Sequence, residues 1–336
     1  MTTFSRIVLF VLILAMAAGG VFSLLESRGD RSGEGAAGTS LRAVLYTNPG
    51  ATTPQIPLWA AFREGGLETV FDLDVKEWRS AGQLQSLLLA GKGDIWVGHV
   101  DGFARARHLG APVVLVAVTG WRKMSIVSTD PAVSGVDSFL GGVLPFAPVG
   151  SPAVTILEAL LGDRGGEIRF DPHEPKQLAL KMVRGDAESA LLPEPLVTVL
   201  LGKIKSLRVV CNLEDLYATL SGGKARMPLA GIAVHERLTT AEPERVSALL
   251  SMMKTAAAQL ERTPEKAPEM LPEAYAEFVP RDVVRASLAR DLILVEGAWE
   301  VREEVVRYLS VVAPELGLEA GMTAEFEDAF FWRGNE

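Results

Sequence analysis

The chain has 336 residues, of which 48% are hydrophobic and 22% charged, with 33 basic against 42 acidic side chains and a formal net charge of −9. That balance excludes bulk disorder, and an acidic surface makes duplex nucleic acid a poor partner. The single cysteine, Cys211, excludes an intramolecular disulfide and any multi-cysteine zinc site.

The N-terminus reads as a targeting segment. Behind Arg6, the stretch Ile7 to Leu25 (IVLFVLILAMAAGGVFSLL) carries no charge. At about 1.5 Å per residue a run of this length nearly spans a bilayer core. Two readings stay open: a secretory signal cleaved near Ala15-Met16-Ala17 or Ala18, or an uncleaved N-terminal membrane anchor. No cysteine follows within reach, so a lipoprotein signal does not fit. Either reading places the rest of the chain outside the cytoplasm, released or tethered to the membrane by residues 7–25. Residues 26–40 (ESRGDRSGEGAAGTS) lack an apolar period and read as a flexible linker.

From Leu41 onward, strands and helices alternate. Leu41–Thr47 is a short apolar strand broken by Asn48-Pro49-Gly50. A helix is expected over Pro57–Glu64. Phe71, Leu73 and Val75 then alternate with charged residues in a half-buried strand. Ser80 suits the N-cap of a helix over Gly82–Ala90. Asp94–Gly98 is a buried strand, Asp101–Leu109 a helix and Val113–Val118 another buried strand. Strands separated by helices of about ten residues predict a parallel sheet covered on both faces.

A second set follows. Strands are expected at Met124–Ser128, Val143–Ala147, Glu167–Phe170, Ser189–Leu192 and Leu207–Cys211. Between them, helices are expected from Ser151-Pro152 to Gly162, over Glu174–Arg184 and over Pro193–Leu201. Leu229–Val234 reads as a returning strand. Beyond Glu242 the pattern is helical, at Val246–Glu261, Pro264–Glu277, Arg281–Ala289, Trp299–Ala313 and Ala324–Phe331. Pro268 and Pro272 should break or kink the second of these.

The order of these features resembles the periplasmic substrate-binding proteins of ABC importers, in the branch for nitrate, sulfonate, taurine and thiamine-precursor uptake. The stretches that carry it are LRAVLYTNPGATTPQIPLWAAFREGGLE, LQSLLLAGKGDIWVGHVDGFARARHLGAPVVLVAV, VGSPAVTILEALLG, LALKMVRGDAESALLPEPLVTVLL and PLAGIAVHERLTTAEPERVSALLSMMKTAAAQLERTPEKAPEML. They run from about Leu41 to Leu271, and their order and spacing are more specific than any one of them. Ser138-Phe139-Leu140-Gly141-Gly142 departs from the lysine-bearing turn usual before the corresponding strand, and the lipoprotein cysteine of some members is absent. The resemblance implies an α/β fold of two lobes with a helical C-terminal segment and a ligand cleft between the lobes. Lobe one would comprise 41–121 plus 229–336 and lobe two 122–228, with crossings near Trp121–Lys123 and Arg226–Pro228. A small polar solute and a membrane permease are the implied partners, with a monomeric protein.

Elementary chemistry selects the same region, because loops and helix N-termini at the carboxyl ends of strands converge on such a cleft. The candidate ligand-binding residues are Asn48 after the first strand, Ser80 and Gly82 at a helix start, and His99 and Asp101 after DIWVG. In lobe two they are Gly150 and Ser151 before Pro152, and Glu194 in LLPEPL. Each also has an ordinary role: a turn for Asn48, an N-cap for Ser80 and Ser151, a surface pair for His99 and Asp101. Asp101 with Glu194 would suit an amine or a ring nitrogen better than a free sulfonate. Trp59 and Trp121 are candidate cleft walls, with core packing the ordinary alternative. The four histidines have no metal-ligand spacing, and the sequence contains no GxxxxGK[ST], GxSxG or HExxH. No catalytic residue, metal or cofactor is expected. The alternatives are an enzyme of the thiamine-precursor or menaquinone type on the same fold, and a membrane-anchored ligand-sensing domain.

Overall fold

The computed structural model describes residues 40–314 and 324–334. The segments read as signal or anchor (1–25) and linker (26–40) lie outside the described residues, except Ser40. Among the described residues, no helix is long and apolar enough to cross a membrane.

β1 (Leu41–Thr47) buries Ala43, Leu45 and Thr47, the alternation of a half-covered strand. α1 (Ile56–Arg63) follows a 3-10 turn over Thr53–Gln55, with Pro57 inside its first turn. β2 (Phe71–Glu77) pairs in parallel with β1, from Leu41↔Phe71 to Thr47↔Glu77. α2 (Ala81–Leu89), β3 (Ile95–His99), α3 (Val100–His108) and β4 (Val113–Gly120) complete the first half; every residue of β4 is buried. β5 (Met124–Ser128) enters a second sheet. β6 (Val143–Phe146), α4 (Pro152–Leu161), β7 (Arg169–Pro172), α5 (Pro175–Arg184), β8 (Ser189–Pro193), α6 (Leu196–Lys203), β9 (Arg208–Asn212) and α7 (Leu213–Ser221) follow. β10 (Ala230–His235) returns to the first sheet, followed by α8 (Glu236–Ala241) and the 20-residue α9 (Pro243–Arg262). Last come α10 (Ala267–Met270), α11 (Arg281–Ser287), β11 (Glu296–Gly297), α12 (Arg302–Val312) and α13 (Ala324–Phe330).

Among the described residues one sheet has six strands in the order β11-β4-β10-β3-β1-β2, and the other five in the order β7-β6-β8-β5-β9. Neither is purely parallel, which corrects the expectation from the strand–helix alternation. β10 runs antiparallel to both β3 and β4, and β5 antiparallel to both β8 and β9. The cause is the route of the chain. A strand reached through a covering helix from its own sheet returns parallel, whereas β5 and β10 are each reached from a strand of the other sheet and escape that constraint. Gly231 lets β10 fit at the centre, because a β-carbon there would fall on the carbonyl oxygen of Ala117.

Two further expectations change. The stretch 264–277 is broken into a 3-10 turn (Pro264–Lys266), α10 and a second 3-10 turn (Glu273–Glu277), as its prolines require. The helix expected from Pro193 begins at Leu196, because β8 runs on to Pro193 and Glu194-Pro195 turns the chain.

Three apolar clusters hold the layers. One face of the six-stranded sheet packs Leu45, Ile95, Val116 and Ile232 against α1 and α9. On the outer face of the five-stranded sheet, Val127 and Leu192 lie with Leu178, Met182, Val197 and Leu200 of α5 and α6. The largest cluster passes from Leu84, Leu88 and Phe103 through Trp121 to Ile126, Leu144 and Ile156, so it belongs to both lobes. α12 supplies Val305, Tyr308, Leu309 and Val312 to it and packs on both α3 and α4. At about 1.5–3 kcal/mol for each fully buried large apolar side chain, this face is a substantial part of what holds the lobes together.

Candidate functional site

The strand order puts the carboxyl ends of β2, β1 and β3 side by side. Gln55 organises the loop after β1. Its Nε2 donates to the carbonyls of Asn48 (2.8 Å) and Ala51 (2.9 Å), and its Oε1 accepts from Thr47 Oγ1 (2.5 Å) and Trp59 Nε1 (3.1 Å). Asn48 Oδ1 accepts from the Gly50 N–H at 2.8 Å, an Asx turn. The Asn48 amide nitrogen has no side-chain partner among the described residues.

At the next strand end, Trp78 donates its indole N–H to the Val97 carbonyl (2.9 Å) and sits 6.3 Å, ring centre to ring centre, from His99. Ser80 caps α2, accepting from Gln83 N at 3.2 Å, while Gln83 Oε1 accepts from Arg79 N at 2.8 Å. The Ser80 bond is an N-cap, and the Gln83 side chain reaches back one residue further, to the N–H that precedes the cap. Gly82 is exposed, with open space where a β-carbon would stand. His99 is exposed and Asp101 is buried. Asp101 Oδ2 pairs with Arg105 one turn along α3, but its Oδ1 is buried with no hydrogen-bond partner. Tyr308 on α12 is near enough to feel this carboxylate. Burial, then Asp101, pushes its phenol well above the ordinary tyrosine range, and its hydroxyl also lacks a partner.

In lobe two, β6 and β8 are parallel neighbours, so Gly150-Ser151 and Glu194 leave the same sheet edge. Gly150 has φ of +75°, a conformation open to glycine at little cost, and no atom lies within 4 Å of a β-carbon position there. Ser151 caps α4 through a 3.3 Å bond from Ala153 N. Glu194 has a partner on each oxygen. Oε1 accepts from Arg290 Nε at 2.6 Å, and Oε2 accepts from the Thr198 backbone N–H (3.2 Å) and Oγ1 (2.7 Å). Arg290 also reaches Thr198 Oγ1.

The eight sequence-selected residues thus fall into two sets, one on each sheet edge. Asn48, Ser80, Gly82, His99 and Asp101 share the first, and Gly150, Ser151 and Glu194 share the second. Two elements tie the edges together: α12, against α3 and α4, and the segment 288–297. In that segment Arg290 holds Glu194, Asp291 accepts from Lys123 Nζ at 2.6 Å, and the Leu294 carbonyl accepts from Trp121 Nε1 at 3.1 Å. Trp121 is fully buried under the Arg226 guanidinium, 4.2 Å from its ring centre, and Trp59 packs edge-on to Tyr275. Both tryptophans are therefore core residues.

Sequence reasoning missed the charged groups at the crossings. Glu214 Oε1 accepts from the N–H groups of Lys123 (2.6 Å) and Met124 (3.0 Å). Its burial raises the carboxyl pKa above the ordinary value despite these bonds. Arg226 pairs with Glu304 (2.6 Å) and Glu296 (3.3 Å). An acid in the first turn of a helix would have marked Glu214, had α7 been recognised.

A cavity of about 500 Å³ opens elsewhere in lobe two, beside Val143, Pro145, Asp171, His173, Lys181 and Glu188. His173 Nε2 is 2.9 Å from Asp171 Oδ2 there. The cavity contains none of the eight residues. Among the described residues no group of three or more His, Cys, Asp or Glu is placed to hold a metal ion.

No protein-family profile matches the sequence, and neither does any curated protein. Solved structures do match. The periplasmic aliphatic sulphonate binding protein SsuA from Escherichia coli superposes with a TM-score of 0.66 at 15% identity, over 88% of this chain and 93% of that one. An ABC transporter protein from Parabacteroides distasonis gives 0.63 at 17% identity, over 84% and 96%. The periplasmic nitrate-binding protein NrtA from Synechocystis PCC 6803 gives 0.58 at 14% identity, over 86% and 85%. These likenesses establish the two-lobe α/β fold.

Proposed function

We propose that this chain is the extracytoplasmic solute-binding component of an ABC import system, which captures a small polar molecule between its lobes and delivers it to a membrane permease. The observation that carries this reading is the arrangement of the two sheets. Their carboxyl edges each present helix starts and polar loops, and the chain crosses between them twice, a geometry suited to closing around a solute. The sulfonate- and nitrate-binding proteins that share the fold support it. In this reading lobe one is 41–121 plus 229–336 and lobe two is 122–228. The protein works as a monomer in the periplasm, led there by residues 1–25 as a cleaved signal or held at the inner membrane by them.

Recognition centres on the first edge. Asp101 Oδ1 is an acceptor without a donor. His99 is exposed beside Trp78, and the Asn48 amide can donate. Glu194 is engaged by Arg290 and Thr198, so a negative site made of both carboxylates would require that pair to open. A solute with a cationic or N–H donor for Asp101 fits best. The chemistry of Cys211 supports a receptor over a thiol enzyme. Burial, with Asp215 nearby, pushes the thiol up to about 11, so it is protonated at neutral pH.

The test is a thermal-shift screen of the full chain over amines, pyrimidines, carboxylates, sulfonates and nitrate. A ligand that binds only the native state raises the melting temperature in proportion to the logarithm of its concentration. Scattering with and without the hit should show a smaller radius on binding. A hit whose affinity ignores Asp101, His99 and Asn48 alike would remove this edge from the site.

A further inference from the structure

Away from the two sheet edges, a small pit lies beside the segment that leads back from the five-stranded to the six-stranded sheet. Tyr217 on α7, Gly223, Lys224 and Arg226 of the returning segment, and Glu304 and Arg307 on α12 line it. It leaves about 10 Å³ in which the centre of a water-sized body can sit, room for one small occupant.

The pit has an unanswered donor and unanswered charge. Tyr217 is 4% exposed, yet its hydroxyl has no hydrogen-bond partner among the described residues. Burial raises its phenol to about 12, against the pull of Arg307, so the group stays protonated and able to donate at neutral pH. The single carboxylate, Glu304, is taken: both its oxygens accept from Arg226, at 2.9 and 2.6 Å. Lys224 and Arg307 have no carboxylate partner among the described residues. A β-carbon on Gly223 would stand 3.6 Å from Arg307 Nη1, so the guanidinium lies close against that glycine. Lys224 and Arg307 are themselves exposed, while the hydroxyl they flank in the pit is buried.

We propose that this pit binds a small inorganic anion, held by the Tyr217 hydroxyl, the Lys224 ammonium and the Arg307 guanidinium. The space suits a halide; an oxyanion would seat one oxygen in it. Because Lys224 leads into the crossing and Arg307 belongs to the helix that packs on both lobes, the anion would tie the crossing to α12. Its occupancy would thereby tune how readily the lobes move.

The test uses the full chain in sodium bromide, sodium sulfate and sodium gluconate at matched ionic strength, with melting temperature as the readout. A saturable rise in bromide but not gluconate identifies a halide, and one in sulfate alone an oxyanion; both support the site. Arg307→Gln and Lys224→Gln should each raise the half-saturating concentration roughly tenfold, the loss of one charge-assisted bond. Tyr217→Phe, which keeps the ring and its packing, should raise it by a smaller factor and guards against a charge variant that fails to fold. Crystals soaked in bromide should show an anomalous peak beside the Tyr217 oxygen. Equal shifts in all three salts, or saturation unchanged in Tyr217→Phe and Arg307→Gln, would overturn the proposal.

Discussion

The two sheet edges carry similar residue types and use them differently. On the first, polar groups are left with capacity: Asp101 Oδ1 lacks a donor and His99 lies exposed. On the second, Glu194 has a partner for each oxygen and is held by an arginine from the C-terminal third of the chain. A buried carboxylate that is fully bonded is a structural tie, whereas one with an orphan oxygen still has something to recognise. On the proposed reading, the contrast would place solute discrimination on the first edge and leave the second to hold the two sheets in position.

The strongest way to break this contrast is Arg290→Ala. The Glu194 side chain is 1% exposed, and removing its cation strands a buried charge. Loss of one partner of such a pair costs about 3–5 kcal/mol. Urea unfolding should show a loss of that order; a change below about 1 kcal/mol would mean the tie holds nothing. Next is Asp101→Asn, which keeps an oxygen for Arg105 but removes the charge. Affinity for a cationic solute should fall roughly 10- to 100-fold, as for one charge-assisted hydrogen bond, in calorimetry with the hit from the screen. Unchanged affinity would shift recognition away from the first edge.

Ser151→Ala sharpens the comparison on the other side. As the cap of α4 it should cost about 1 kcal/mol of stability and leave affinity alone. A 3- to 10-fold weaker dissociation constant would instead give lobe two a direct part in binding. The smallest effect belongs to Glu214→Gln at the first crossing. The folded-state pKa of Glu214 is raised from 4.5 by burial, so ionising it opposes folding, and stability falls as pH rises from the unfolded value through the folded one. Glutamine keeps an acceptor for Lys123 and Met124 without a charge. Thermal unfolding between pH 4 and 7 should show the variant gaining on the natural protein as pH rises; parallel curves would show that Glu214 ionises without cost.

Much of the element order was legible, because apolar periodicity and terminators are local. Strand β1 and the Ser80 and Ser151 caps stand where alternation and capping chemistry put them. Strand direction was not legible: nothing in LAGIAV says that it runs antiparallel between β3 and β4. Helix α7 was missed because its sequence follows β9 without a glycine or proline between them. The candidate site divides the same way. The Asp101–Arg105 pair lies one helical turn apart and was readable in principle, whereas the partner of Glu194 is 96 residues away. Only the folded chain brings those two together.

The place of β10 has a consequence for the order in which the protein is made. All five strands of the second sheet lie between Met124 and Asn212, so a growing chain contains that sheet complete before residue 230 has been added. The first sheet is then still open at its middle. β3 and β4, separated in the finished molecule by β10, wait for a strand synthesised more than a hundred residues later. Vectorial emergence therefore favours the inner segment of the sequence, and the lobe that starts the fold is the last to close. A chain cut after Pro228 would keep every strand of the five-stranded sheet and lack the centre strand of the other. The sequence separation between β10 and its neighbours β3 and β4 predicts that this pairing forms late in refolding.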